Sequence, residues 1–176
     1  MNCLCLRQSS LLPEHVPLQS RESFSDLDLF QVVSEGKVDV LHQCLESISE
    51  TSRRLKVNDR DKVTGASLVH QAVRVKNSAV LDMLLSHGAE ASIKDDTGLT
   101  PLHYVAKYVR PEEKTSEDSA SLMVQMLMPK VGDGANAIDA WGMTPLHHAA
   151  LSGNSHVVRC LLPYASVNKE VRSSSR

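Results

Sequence analysis

The sequence predicts an all-α solenoid of about four helix-turn-helix repeats, with short hairpin turns between them. Three observations carry this. Asp95-Asp96-Thr97-Gly98-Leu99-Thr100-Pro101-Leu102-His103 recurs as Asp139-Ala140-Trp141-Gly142-Met143-Thr144-Pro145-Leu146-His147, with a degenerate copy at Gly65-Ala66-Ser67-Leu68-Val69-His70. Paired aliphatic residues follow two of the copies at the same distance, Val80-Leu81 with Leu84-Leu85 after His70 and Val157-Val158 with Leu161-Leu162 after His147. No such unit is long enough to bury its own apolar face, so the units must stack.

Each element follows from local chemistry. Thr100 and Thr144 suit an N-cap, since a hydroxyl can accept from an unpaired first-turn amide. Pro101 and Pro145 then occupy the first helical position, where a missing N–H costs nothing. Ala149-Ala150 keeps the first helix thin, and Gly36 and Gly153 allow a sharp reversal. Val and Leu at i, i+1, i+4 and i+5 form the apolar face of the second helix. Gly88-Ala89 ends that helix, and Asp95 to Gly98 and Asp139 to Gly142 make the turn before the next cap. A weaker copy lies upstream, where Leu29, Phe30, Val32-Val33, Gly36, Val40-Leu41 and Cys44-Leu45 keep the spacing without Thr-Pro.

These motifs resemble the ankyrin-repeat family. The Thr-Pro-Leu-His-x-Ala signature, the Val/Leu pairs, the Gly-Ala and the Asp-x-x-Gly turn cover residues 84–164 closely, 57–83 less so and 28–48 weakly. The reading places a tail over 1–25, the repeat domain over 26–168 and a second tail over 169–176. Its repeats are expected near 28–56, 57–94, 95–138 and 139–168.

Departures carry their own expectations. Ser67-Leu68 in place of Thr-Pro predicts a less sharply started helix, and Ile48 to Val57 reads as a long polar linker. The histidines of the motif are 33 and then 44 residues apart (103 − 70 and 147 − 103), so one repeat carries an insertion. Rich in Pro, Glu and Ser, 109–121 reads as a loop projecting from the third repeat, because such a segment buries too little to offset its ordering entropy. It is either a tolerated insertion or a docking or phosphorylation segment, with Thr115, three residues before Asp118, as the candidate acceptor. No capping helix follows Leu161-Leu162, so either the array ends imperfectly or the chain is part of something longer.

Composition narrows the functional classes. With 19 Lys+Arg against 21 Asp+Glu the chain has no basic excess, and aromatics are 3%, so nucleic-acid binding is not expected. No apolar run approaches a membrane span, no secretory leader is visible, and four scattered cysteines suit a reducing cytoplasmic setting. Cys44 and Cys160 read as packing residues. Cys3 and Cys5 form a separate case. Their short apolar context resembles the dually palmitoylated start of a postsynaptic scaffold family, and two acyl chains would anchor the chain to a membrane. Unmodified thiols are the alternative. Membrane contact is expected only with acylation.

No enzyme, cofactor or metal site is expected. Gly-x-Ser-x-Gly, a phosphate loop and His-Glu-x-x-His are all absent. His70, His103 and His147 sit on successive helices, about 8–10 Å apart, too far to share a zinc ion. The family resemblance gives each of them a hydrogen bond near the Thr of its own turn. It also implies a concave face that grips another protein, built from turn tips and first helices. Here the tips are Thr97, Leu99, Trp141 and Met143, and the helix positions are Gln71, Arg74, Tyr104, Lys107, Tyr108, His148 and Leu151. Trp141 either anchors a partner or lies across the neighbouring turn. The expected function is a non-catalytic adaptor or scaffold. The alternative is the cytosolic ankyrin arm, or a short product, of a larger membrane protein such as an ankyrin-bearing cation channel.

Overall fold

The computed structural model describes residues 28–109 and 116–164. The expectations for residues 1–25 and 169–176, for Cys3 and Cys5 and for Thr115 lie outside the described residues. The helices run α1 (Leu29–Ser34), α2 (Val38–Ser47), α3 (Glu50–Val57), α4 (Leu68–Arg74), α5 (Ser78–Ser86), α6 (Pro101–Tyr108), α7 (Ser116–Val131), α8 (Pro145–Leu151) and α9 (Ser155–Leu161). Short 3-10 turns follow α7 and α9, at Gly132–Asn136 and Leu162–Tyr164. The first helices α1, α4, α6 and α8 pack in sequence along one side, and α5, α7 and α9 back them on the other. One aliphatic cluster runs unbroken from Leu29 to Leu161, so the units share a single interior.

The caps form as the residues dictate. Thr100 and Thr144 begin α6 and α8 with Pro in the first turn, and each takes part in a capping box with the histidine three residues on. Ser67 does the same with His70: its N–H donates to Nδ1 at 3.0 Å, and its hydroxyl lies 2.9 Å from the same nitrogen. The expectation of a looser start there is corrected. The hydroxyl and the imidazole make the cap, whereas proline only pre-sets a φ that other residues also adopt.

Two segments read as irregular are helical. The polar linker holds α3, which buries only Val57. Its end is clipped to the turn beyond α5, because the Asn58 amide donates to the Gly88 carbonyl and accepts from the Glu90 N–H at 2.7 Å. The loop expected over 109–121 is shorter than that. Val109 is buried, and α7 is already helical at Ser116. Ala120, Met123, Val124, Leu127, Met128 and Val131 are buried along α7, a spacing of three and four that draws the helix past the polar stretch. Leu122, between these positions, is exposed.

Successive turns also bond to one another. The Asp96 N–H donates to the Thr64 carbonyl at 3.1 Å, and the Ala140 N–H to the Thr97 carbonyl at 3.0 Å. Gly98 permits the second contact. Its φ is +79°, and a Cβ there would lie 3.0 Å from the Ala140 nitrogen. Gly153 has a similar φ of +69° with nothing around it. Gly98→Ala is therefore expected to lower the urea midpoint well beyond Gly153→Ala, which carries only the cost of positive φ, about 1 kcal/mol.

Candidate functional site

The histidine of each cap also joins neighbouring units. In α4 the Ser67 N–H donates to Nδ1 of His70, so the ring proton sits on Nε2 and is donated to the Leu99 carbonyl at 3.0 Å. In α6 the Thr100 N–H donates to Nδ1 of His103, whose Nε2 donates to the Met143 carbonyl at 3.1 Å. Both rings are fully buried. Burial disfavours the imidazolium and pulls each pKa from 6.5 down to about 4, although the carbonyl bonds and nearby aspartates oppose it. His147 caps α8 in the same way but is exposed, and among the described residues nothing meets its Nε2.

Each turn is held by its aspartate. Oδ1 of Asp95 accepts from the Thr97 and Leu99 N–H groups, and Oδ1 of Asp139 accepts from those of Trp141 and Met143, each at 2.9 Å. The second oxygens are met from nine residues downstream: the Tyr104 hydroxyl donates to Asp95 at 3.0 Å, and Nε2 of His148 donates to Asp139 at 2.7 Å. Burial by itself would raise these carboxyl pKa values. The hydrogen bonds outweigh it and hold both below the usual range. The Tyr104 phenol is raised, first by burial and then by Asp95.

Three residues expected on the binding face therefore serve the fold. Leu99, Tyr104 and His148 are buried, Leu99 under the turn and the other two on the aspartate clasps. The helix positions of Tyr104 and His148 suggested exposure, but a polar side chain able to reach the turn aspartate is drawn back to it. The other candidates stay accessible. Thr97, Arg74, Lys107, Tyr108 and Trp141 are exposed, and Met143 is half-buried. Trp141 is 52% exposed at its turn tip, and Leu151 on α8 is 74% exposed. Lys107 lies over the Tyr108 ring, 5.3 Å from its centre, and the Tyr104 and Tyr108 rings are 5.1 Å apart. Val63, 85% exposed, lies in the turn between α3 and α4. Sequence reasoning did not single it out.

Among the described residues one group has metal-ligand composition, His103, Asp139 and His148, all buried with ligand atoms within 4.8 Å of one another. Its chemistry is already committed. A metal on Nε2 of His103 would force the proton onto Nδ1, where it would meet the Thr100 N–H donated to that atom. The cluster is a structural junction. Cys44 is buried, and Cys160 is half-buried with its thiol 3.7 Å from the Ser121 hydroxyl. No helix among the described residues is long and apolar enough to cross a membrane.

Comparison with known proteins agrees with this architecture. The family pattern described as ankyrin repeats (3 copies) matches residues 114–175. Rabankyrin-5 of Homo sapiens is 32% identical over 137 residues, which is 75% of this chain and 12% of the relative, so the chain spans about an eighth of that protein. Cyclin-dependent kinase inhibitor 2A of Monodelphis domestica is 27% identical over 158 residues, covering 89% of this chain and 80% of the relative. Cyclin-dependent kinase 4 inhibitor B of Rattus norvegicus is 26% identical over 138 residues, covering 78% and 92%. Stacked helix pairs, boxed Thr-Pro-Leu-His caps and these matches agree: the chain belongs to the ankyrin-repeat family, whose repeats are protein–protein interaction modules.

Proposed function

We propose that this chain is a non-catalytic adaptor or scaffold that binds another protein through the concave face made by its first helices and turn tips. One observation carries the reading. On that face the polar groups that hold the fold are buried and paired, while Trp141, Leu151 and Tyr108 stay exposed. A large aromatic side chain that no local bond requires is the residue type that anchors interfaces. Because caps and shared core fix the face before binding, little ordering entropy is lost on association.

The test uses full-length chain carrying a photoreactive residue at position 141, or at the convex position 125 as control. Cross-linking at 141 but not at 125, abolished by Leu151→Asp with unchanged circular dichroism, is the expected result. Equal capture at both positions, or capture indifferent to Leu151→Asp, overturns the reading. Trp141→Ala is expected to weaken a captured partner by about 2 kcal/mol, roughly thirtyfold.

A further inference from the structure

The binding face has a periodic charge pattern that specifies the partner's chemistry, an inference that rests on the proposed function above. Arg74, Lys107 and Leu151 each lie four residues after the motif histidine of their helix (70 + 4, 103 + 4, 147 + 4). The helices α4, α6 and α8 are consecutive neighbours, so these side chains form one row across the array. All three are exposed. Packed helices lie about 8–10 Å apart, the distance that one turn of extended polyproline II chain covers at about 3.1 Å per residue, and with three residues per turn every third side chain returns to the same face.

Among the described residues the carboxylates near the row are accounted for. Asp95 and Asp139 are buried and clasped by Tyr104 and His148. Asp96 is exposed at its turn tip, 3.5 Å from the Arg60 guanidinium. Asp28 and Asp61 line the same groove as Arg74, but Oδ1 of Asp28 accepts from the Phe30 N–H, Oδ2 of Asp61 accepts from both the N–H and the hydroxyl of Thr64, and no ion pair to Arg74 closes among the described residues. Among the described residues Lys107 is steadied over Tyr108 rather than by an acid. The row thus offers two cations and then an aliphatic side chain, at equal steps.

We propose that the face takes an extended acidic segment of another protein, with carboxylates at i and i+3 and an aliphatic residue at i+6, laid across the first helices. The carboxylates meet Arg74 and Lys107, and the aliphatic side chain packs on Leu151. Both charges act at a solvent-exposed rim, so they set partner choice and association rate, while the apolar contact slows release.

The test titrates full-length chain with three synthetic peptides in a Ser/Gly background, followed by backbone amide shifts. One carries Glu, Glu and Leu at successive third positions. The second has Lys for both Glu, and the third places the same residues at successive second positions. The expected result is saturable shifts at Arg74, Lys107 and Leu151 with the first peptide alone. Arg74→Gln with Lys107→Gln should weaken binding about tenfold without moving the melting temperature, and raising salt should do likewise. Binding of the Lys peptide, insensitivity to spacing, or no shift with any peptide overturns the proposal. If the peptides fail while cross-linking at 141 still depends on Leu151, only the partner chemistry is wrong. If that dependence also fails, the binding face is wrong too.

Discussion

His103→Ala is expected to destabilise the protein by about 3–5 kcal/mol, whereas His147→Ala costs about 1 kcal/mol. The two residues occupy the same place in equivalent caps. What separates them is the junction. Removing the His103 ring orphans a buried Thr100 N–H on one side and the Met143 carbonyl on the other, and leaves a void in a fully buried site. An orphaned buried polar group costs about 1–3 kcal/mol, and the cavity adds to it. Loss of the exposed His147 ring lets water replace its bonds. In the melting temperature the difference is roughly 10 °C, at about 2–4 °C per kcal/mol for this size. Amide exchange should show α8 and α9 opening first in His103→Ala, because stability in a stacked array is a sum of units and junctions. Equal effects of the two substitutions would mean that the carbonyl bonds do not couple the units.

Acid should act on the same junctions. His70 and His103 titrate at about 4 in the fold, against an ordinary value near 6.5. The folded pKa values are depressed, so between pH 6.5 and 4 the unfolded chain binds protons that the folded chain refuses. Stability therefore falls as pH drops through 6.5 and levels out below 4, by a total on the order of 3 kcal/mol per histidine. Asp95 and Asp139, held below the usual carboxylate range, contribute stability that is lost at still lower pH, as each carboxylate is protonated. Urea midpoints measured at pH 7.5, 6.0 and 5.0 should decline steadily. A flat profile over that range contradicts buried, neutral rings at the junctions.

The repeat architecture was legible because its signals are local. A hydroxyl, a proline and a histidine at offsets of zero, one and three define the cap, and paired aliphatic residues mark the second helix. Helix α3 was hidden because Glu50 to Lys56 bury nothing; Ser49 ahead of Glu50 and a run of good helix formers were the only hints. The start of α7 was hidden because the first of its described side chains to be buried is Ala120, too small to stand out against Glu and Ser. The site was read less well for a different reason. Spacing along a helix says which residues share a face, but not that a turn aspartate nine residues upstream will claim Tyr104 and His148. Such a claim depends on reach in three dimensions. Two equal offsets, Asp95 to Tyr104 and Asp139 to His148, are the pattern that could have revealed it.

The most direct test of shared junctions is the ring state of the motif histidines, read by two-bond nitrogen–proton correlation at pH 7. His70 and His103 should each appear as a single Nε2–H tautomer, with that proton protected from solvent exchange and no titration down to about pH 5. His147, whose Nε2 meets nothing among the described residues, should exchange its ring proton rapidly. Mixed tautomers at His70 and His103, or titration near 6.5, would show that the rings are hydrated and that the units do not share one interior.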